Sequence, residues 1–600
     1  MSLVDQKFRP ELIKTYPKAM EDLKPRFNVK GSSESYNLFS VDPESNNRNS
    51  TLFTIRPSSF DTLVRRDLRV TGDLIYPVSV IVAPNTPANT PLISPSNFAF
   101  RDRPLNRMFS EPSLSVNGHK ITMQMEEVFQ SLNMLTFDDN VSNSFMSPNN
   151  LDLTYLNYND ATGSQSTPLS SLSNSSLQTQ HIPDGAFAVS YTDPNGNDLQ
   201  GTGTYAQDDG DDVNYVDGIP VAPTADANPQ RRDLFVKIRV NEHLMISPLL
   251  FHGNGLDTES FWGIKDLTLR LNYQSEPRLI RNASNAPNRS FQILEDQWRG
   301  NMTSWFKTVQ LYYYQLDVPA EINLPSLNSL PIVSHEVRRA NALGNPSTVP
   351  RGGSIWLKSE DYRLSGVPEK LVIMPRIPRS ALQPTQADFH YVPLAIKIRI
   401  GNKTGILNTF DQPALYQIIR RFIPISWQTF SGKANGTADQ DGLVPTVSAP
   451  IVLDFARDIV LPAGMAPGVN TNFNIQVEEQ IENQIIPTQD VTSDPVELVL
   501  DFITSGFMYN QNGTTQTFYD FMTESDVLNA KVDHSESELD PPIGGGLGKA
   551  KSLFKDLGSH ASKLGKKGLK EVGKVAKSAG KELAHEGARR GIEEIMSNLR

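Results

Sequence analysis

Cysteine is absent from the 600-residue chain. Disulfide scaffolds, cysteine-ligated zinc and thiol catalysis are therefore excluded. Long apolar runs are missing too: the stretch 498–503 is interrupted by Asp501, and none approaches the roughly 18 residues that a membrane span needs. The first residues contain no apolar signal core. These absences predict a soluble protein that is made without a secretory signal.

Motifs of common catalytic sites are also missing. The chain has no Gly-x-Ser-x-Gly elbow, no Walker-type phosphate loop and no His-Glu-x-x-His pair. Its nine histidines are scattered without metal-ligand spacing. Two acidic stretches, 193–198 and 208–212, resemble calcium loops in composition but lack the EF-hand pattern, which favours solvated loops. We therefore predict no catalytic, cofactor-binding or metal-binding residues.

Charge is divided unevenly along the chain. The net charge is −11, yet residues 547–600 hold ten lysines and three arginines against six acidic residues, a net charge of +7. The rest of the chain therefore carries −18. An acidic body with a short basic tail indicates that the tail is a separate functional element.

Apolar residues of the body alternate at period two. This holds at 234–240, 267–273, 394–400 and 496–502, which predicts antiparallel strands with one buried face. The Asn117-Gly118 pair predicts a hairpin turn, and short helices are expected at 123–135 and 412–422. The 42 prolines outnumber the 38 glycines, which favours turn-rich β structure. The predicted class is all-β, with two sandwiches in tandem.

Shifts in composition divide the chain into four parts. We predict an N-terminal arm (1–50), a first β block (51–325), a second β block (326–540), and a Gly-rich linker with a basic tail (541–600). A polar stretch at about 138–232 is expected to be a surface excursion within the first block. The proline-, asparagine- and serine-rich segment 319–351 is predicted to be a linker.

Two residue patterns have competing interpretations. The arginine pairs 65–66, 231–232, 338–339 and 420–421 fit ion pairs within an acidic body better than nucleic-acid contacts. Trp427, with Phe422 and Phe430, predicts a buried aromatic cluster, whereas a glycan-stacking platform is the alternative.

Several segments together resemble the double jelly-roll major capsid proteins of virophages, polinton-like viruses and adintoviruses. They are FRDRPLNR at 100–107, GVPEKL at 366–371, TQADF at 385–389, NKTGIL at 402–407, LY at 415–416, SWQTFSG at 426–432, LDFARDI at 453–459 and APG at 466–468. The resemblance lies in their order and spacing over most of the body.

The resemblance implies two eight-stranded jelly rolls side by side. It further implies homotrimers that form pseudo-hexameric capsomers, and an icosahedral shell around double-stranded DNA with penton and minor capsid proteins as partners. The protein would be a virion component made in the host cytoplasm or nucleus. A chain whose work is burial of surface between copies needs no catalytic site.

The segment Ile543, Gly544, Gly545, Gly546 and Leu547 resembles the sites that adenovirus-type maturation cysteine proteases cleave. Flexible glycines after Pro541-Pro542 would present an accessible backbone. Apolar residues of the tail repeat at helical spacing, which predicts a basic amphipathic helix. Its lysines are candidates for contact with DNA, a membrane or the inner shell; they are Lys549, Lys551, Lys555, Lys563, Lys566, Lys567 and Lys570.

Three alternatives remain open on the sequence. The body could be a carbohydrate-binding or glycan-cleaving β-sandwich, which would need paired carboxylates or stacked aromatics in a pocket. The chain could also bind nucleic acid through its tail. Finally, the tail could be a disordered solubilising segment.

Overall fold

A computed structural model describes most of the chain between residues 37 and 528. The described ranges are 37–93, 98–101, 103–135, 190–206, 212–223, 228–249, 260–275, 277–282, 291–294, 304–318, 324, 328–340, 344–382, 386–401, 407–423, 425–435, 443–455, 457–462, 464–485, 491–520 and 522–528. The proposed cleavage site and the tail lie outside these residues.

Strands of the first half extend to Asp317. They are β1 Asn37–Val41, β2 Ser45–Asn46, β3 Ser50–Ile55, β4 Thr62–Arg65, β5 Arg69–Val82, β6 Phe98–Phe100, β7 Ser113–Val116, β8 His119–Thr122, β9 Ser190–Thr192, β10 Gly203–Tyr205, β11 Val213–Val216, β12 Ile219–Val221, β13 Gln230–His243, β14 Ser260–Phe261, β15 Leu267–Asn272, β16 Ile280–Asn282, β17 Phe291–Leu294 and β18 Phe306–Asp317.

Strands of the second half begin at Asn328. They are β19 Asn328–Arg339, β20 Thr348–Pro350, β21 Ser354–Lys358, β22 Tyr362–Gly366, β23 Lys370–Arg376, β24 Val392–Ile400, β25 Leu407–Asp411, β26 Lys433–Asn435, β27 Leu443–Pro445, β28 Ile451–Asp454, β29 Asn470–Glu482, β30 Ser493–Pro495, β31 Glu497–Gln511 and β32 Thr514–Tyr519. The α-helices are α1 Pro104–Met108, α2 Met125–Leu135, α3 Gln412–Ile419, α4 Trp427–Phe430 and α5 Glu524–Leu528; a 3-10 turn spans Arg379–Ala381.

Each half contains two large antiparallel sheets, and the main strands of these sheets follow the same order in both halves. In the first half, β1, β18, β5 and β13 lie side by side in one sheet, and β3, β15, β7 and β8 in the other. In the second half, β19, β31, β23 and β28 lie side by side in one sheet. The other sheet contains β21 and β22, which both pair with β29, followed by β24 and β25. The eight main strands of each roll can be numbered along the chain, with β21 and β22 counted together as the second strand of the second roll. Their order is then 1-8-3-6 in one sheet and 2-7-4-5 in the other. This order is the jelly roll.

The first strand of each roll is the outermost strand of its sheet. Tyr312 of β18 pairs with Ser40 of β1 on one side and with Arg69 of β5 on the other. In the second roll, Ile503 of β31 lies between His335 of β19 and Lys370 of β23 in the same way. A proline is tolerated in an edge strand, which explains Pro331 in β19.

The alternating pattern places one face of each strand in a core. In β15, Leu267, Leu269 and Leu271 are fully buried. The predicted hairpin is confirmed between β7 and β8, where Asn117 and Gly118 both have positive φ angles. Both predicted helices are present as α2 and α3.

Three predicted boundaries differ from the structure. Residues 37–50, expected in an N-terminal arm, contain β1, β2 and the start of β3 within the sheets of the first roll. The expected linker 319–351 contains β19, which pairs along β31 over twelve residues. The polar stretch 138–232 contains β9 to β12, and its residues Tyr205 and Val213 are buried. The strands in these three segments were not predicted because the segments are polar, and short or outermost strands need few apolar residues.

The two rolls share parts of their cores. Met134 of α2, which follows the first roll's hairpin, is packed in the second roll's core. Conversely, Leu330, Ile332 and Met508 from the second roll belong to the core of the first. Exchanged side chains of this kind make each core depend on the other roll.

We therefore expect the rolls to unfold together. Phe53→Ala in the first core and Phe473→Ala in the second should each reduce the free energy of unfolding by about 3–5 kcal/mol, because both phenyl groups are fully buried. Calorimetry should show one transition that moves to lower temperature in both variants. Two separate transitions, with only one affected by each substitution, would contradict this expectation.

Candidate assembly surfaces

A mostly buried carboxylate, that of Asp388, joins the two rolls at the segment between β23 and β24; its side chain is 15% exposed. Three arginines of the first roll surround it. Arg107 of α1 contacts its Oδ2 atom, Arg278 donates to Oδ1 at 3.2 Å, and Arg101 Nη1 lies 3.8 Å from Oδ1. Arg101 is fully buried and also donates to the Gln386 carbonyl oxygen at 2.7 Å.

Electrostatics hold Asp388 in its charged form. Burial acts to raise its pKa, but the charges of Arg107, Arg101 and Arg278 outweigh burial and keep the pKa well below 3.8. The carboxylate therefore remains ionised throughout the physiological range, and the ion pairs persist.

A second group of ion pairs surrounds Glu127 of α2. Arg376 of β23 and Arg339 at the end of β19 both contact its carboxylate, and Arg376 also donates to the Glu127 carbonyl oxygen at 3.0 Å. Arg376 Nε donates to Glu497 at 2.8 Å. Burial acts to raise the pKa of Glu127, but Arg376 and Arg339 outweigh it and lower the pKa.

Neutral hydrogen bonds connect the rolls at the turn between β31 and β32. Asn117 donates to Thr515 at 2.9 Å, and His119 shares a hydrogen bond with Thr517 at 2.9 Å. The amide of Gly513 donates to the Gly263 carbonyl oxygen at 2.9 Å. Charged and neutral contacts together fix the orientation of the two rolls.

Two of the fully buried carboxylates, those of Glu242 and Glu479, have raised pKa values. Glu242 of β13 accepts hydrogen bonds from Leu105 N, Asn106 N and Asn106 Nδ2 at 2.9–3.1 Å, and burial raises its pKa to about 7. Glu479 of β29 lies in the second core without a hydrogen-bond partner, and burial raises its pKa well above 4.5. Sequence reasoning missed Glu479, although it shares the apolar face of β29 with Val477 and Ile481.

The prediction of ion pairs is confirmed for three of the arginine doublets: 231–232, 338–339 and 420–421. Arg231 contacts Asp233, Arg338 contacts Glu336, Arg339 contacts Glu127 and Arg421 contacts Asp458. Arg66 instead donates to the backbone at Pro248 and Pro331, Arg65 stacks on Tyr314 and Arg420 on Tyr416.

The acidic side chains of the loop 193–198 form hydrogen bonds and an ion pair within the protein. Asp193 accepts hydrogen bonds from Asn195 N and Asn197 N, and Asp198 pairs with Lys237. Most of the second acidic stretch, 208–211, lies outside the described residues. Within the described part of the chain, no three His, Asp or Glu side chains are grouped closely enough to hold a metal ion. None of the helices described there is long and apolar enough to cross a membrane.

The prediction that Trp427 is a core residue is wrong. Its side chain is 40% exposed, whereas Phe430 is fully buried. The indole packs edge-on against Tyr416, with ring centroids 5.1 Å apart. Trp427 begins α4 directly after its N-cap Ser426, and this position places the ring at the surface instead of inside the roll.

Two tandem jelly rolls joined by ion pairs define the chain as a double jelly-roll protein. The family model of the first domain of the Sputnik virophage major capsid protein matches residues 18–310. The model of the major capsid protein V20 C-terminal domain matches residues 338–506. Together they match most of the chain.

Known proteins agree with these matches. Capsid protein V20 of Sputnik virophage is 23% identical over 529 residues, which are 85% of this chain and 80% of V20. A chain of the cryo-EM structure of Sputnik virophage has 16% identity and a TM-score of 0.66, covering 87% of this chain and 96% of its own. The mavirus major capsid protein has 15% identity and a TM-score of 0.59, covering 86% and 96%. The chain belongs to the virophage major capsid proteins.

Removing the charge of Asp388 should destabilise the protein strongly. Asp388→Asn leaves three buried guanidinium groups without their shared carboxylate, so we expect a loss of about 3–5 kcal/mol in unfolding free energy. Asp198→Asn, which breaks the exposed pair with Lys237, is the control and should cost less than about 1 kcal/mol. Chemical denaturation measures both. Similar losses of unfolding free energy in the two variants would show that the Asp388 ion pairs stabilise the protein no more than an exposed pair does.

Glu479 should make stability fall as the pH rises. Its pKa is higher in the folded than in the unfolded protein, so the folded state binds the extra proton above about pH 4.5 and loses relative stability with increasing pH. Glu479→Gln removes this dependence and should stabilise the protein more at pH 8 than at pH 5. Urea denaturation across this range, with Glu478→Gln on the other face of β29 as the control, measures the effect. Parallel profiles for Glu479→Gln and the unmodified protein would contradict the expectation.

Proposed function

We propose that three copies of this major capsid protein form a pseudo-hexameric capsomer, and that capsomers assemble an icosahedral shell around double-stranded DNA. The observation that carries the proposal is the repeated strand order of the two rolls. Three chains with two equivalent rolls each supply six similar units around one axis. The protein's role is structural, and its contacts are with neighbouring capsomers, penton proteins and minor capsid proteins.

Native mass spectrometry of the purified full-length chain tests the proposal. We expect a species of three times the chain mass at micromolar concentration, and electron microscopy should show particles with six-lobed outlines. A chain that remains monomeric when its assembly partners are present would refute the proposal.

We also propose that the basic tail is an internal assembly element that a maturation cysteine protease removes at 543–547. The tail's net charge of +7 complements the acidic body. Attachment to every copy would deliver its lysines to the whole inner surface, where contacts with the shell or DNA are electrostatic. Synthesis in the host cytoplasm or nucleus precedes packaging into the virion.

Cleavage predicts a shortened chain in mature particles. Intact-mass measurement should give a C-terminus near Gly545 or Gly546. Gly545→Val should retain the tail, because a β-branched side chain restricts the backbone that the protease must bind, whereas Gly548→Val should still be cut. Mature particles whose chain still ends at Arg600 would rule out cleavage.

A further inference from the structure

Helices α2 and α3 occupy the same place in the two rolls. Each follows the fifth strand of its roll: α2 comes after β8, and α3 begins directly after β25. Both turn an apolar face towards their own roll, with Val128 and Leu132 in α2 and Leu415 and Ile418 in α3. The two helices are therefore structural counterparts.

The opposite face of α2 is covered by the second roll of the same chain. Glu127, Gln130 and Met134, at i, i+3 and i+7, face Arg376, His390 and the second core, respectively. Met134 is buried by this contact, and Glu127 and Gln130 are half-buried.

The corresponding face of α3 is largely exposed, since Pro413 and Arg420 are exposed and Tyr416 is half-buried. Pro413, Tyr416 and Arg420 have the same i, i+3, i+7 spacing, yet only three of the eight residues of α3 are buried. Trp427 of α4 extends this face, and Arg420 stacks on Tyr416 with its Cζ atom 5.6 Å from the ring centroid. Tryptophan, tyrosine and arginine are the residues most enriched at the energetic centres of protein interfaces. We call this set, with Gln417 and Gln428, the α3–α4 surface.

The first strands of the two rolls show the reverse asymmetry. β19 contacts the first roll of its own chain, since Ser247 Oγ accepts from Val333 N at 2.8 Å and Arg339 contacts Glu127. β1 is uncovered: Leu38 is 56% and Phe39 39% exposed. We call Leu38, Phe39 and the exposed Asp42 and Glu44 that follow them the β1 edge.

We propose that the α3–α4 surface of one copy docks on the β1 edge of a second copy, repeating between chains the contact that α2 and β19 make within a chain. This rests on the proposed trimer and names the residues of its interface. Charge complementarity supports a second copy of the chain as the partner of this surface. Within the chain, α2 supplies the carboxylate of Glu127 and β19 supplies Arg339. Between chains, Arg420 would meet the carboxylate of Asp42, so the complementarity is kept with the signs exchanged.

Matched tryptophan variants test the surface. Trp427 and Trp356 are 40% and 41% exposed, and Trp356 lies on β21, away from the α3–α4 surface. Trp427→Ala should weaken self-association of the full-length chain at least about 10-fold in analytical ultracentrifugation, whereas Trp356→Ala should leave it unchanged. Unchanged melting temperatures would exclude misfolding.

Charge exchange supplies a test that folding defects cannot imitate. Arg420→Glu and Asp42→Arg should each weaken association, and the double variant should restore it. The absence of cysteine adds a direct measurement. A chain carrying Gln417→Cys and Leu38→Cys should form covalent trimers with a short bismaleimide, while each single variant should stay monomeric on a denaturing gel.

The results separate the two proposals. An unmodified chain that does not trimerise refutes the proposed capsomer. Trimers that survive Trp427→Ala and Arg420→Glu unchanged, and that give no cross-link, refute the α3–α4 contact and leave the capsomer standing.

Discussion

The ionised Asp388 between the two rolls is the contact on which the rest of the structure depends. One carboxylate serves three guanidinium groups from separate segments of the first roll, so these segments and the β23–β24 connection must adopt one arrangement. Buried charges penalise every other arrangement, because a misplaced roll would leave several of them unpaired. Hydrophobic contacts such as Met134 could tolerate sliding, whereas the ion pairs fix a single orientation. A subunit that must repeat many times in one shell needs such a fixed geometry.

The two rolls share one strand order but differ in the helix and in the first strand that lie at their sides. Helix α2 carries carboxylates and is covered, whereas the α3–α4 surface carries Tyr416, Arg420 and Trp427 and is largely exposed. Strand β19 is twelve residues long and holds the other roll, whereas β1 has five residues, four of them exposed. The contacts within the chain therefore differ in chemistry from the exposed faces of β1 and of the α3–α4 surface.

Much of the fold could be predicted from the sequence, because period-two alternation is a direct consequence of burying one face of a strand. The hairpin at Asn117-Gly118 and both helices followed from local rules of the same kind. Strand β1 escaped detection because an exposed edge strand carries no apolar alternation. The predicted burial of Trp427 was wrong, because composition cannot distinguish an aromatic cluster inside a roll from one at its surface. The partners of Asp388 lie 110 to 287 positions away along the chain, and no local pattern encodes such contacts.

The strand order of each roll also constrains how the protein is made. The eighth strand lies between the first and the third, so Asn37 finds its partner Gln315 only after nearly the whole first roll has left the ribosome. Contacts that separate pairing residues this widely slow folding, because a long loop must close before they form. The second roll repeats the delay, since β19 waits for β31. A nascent chain therefore completes the sheets of the first roll only once β18 has been made, and those of the second roll only once β31 has been made.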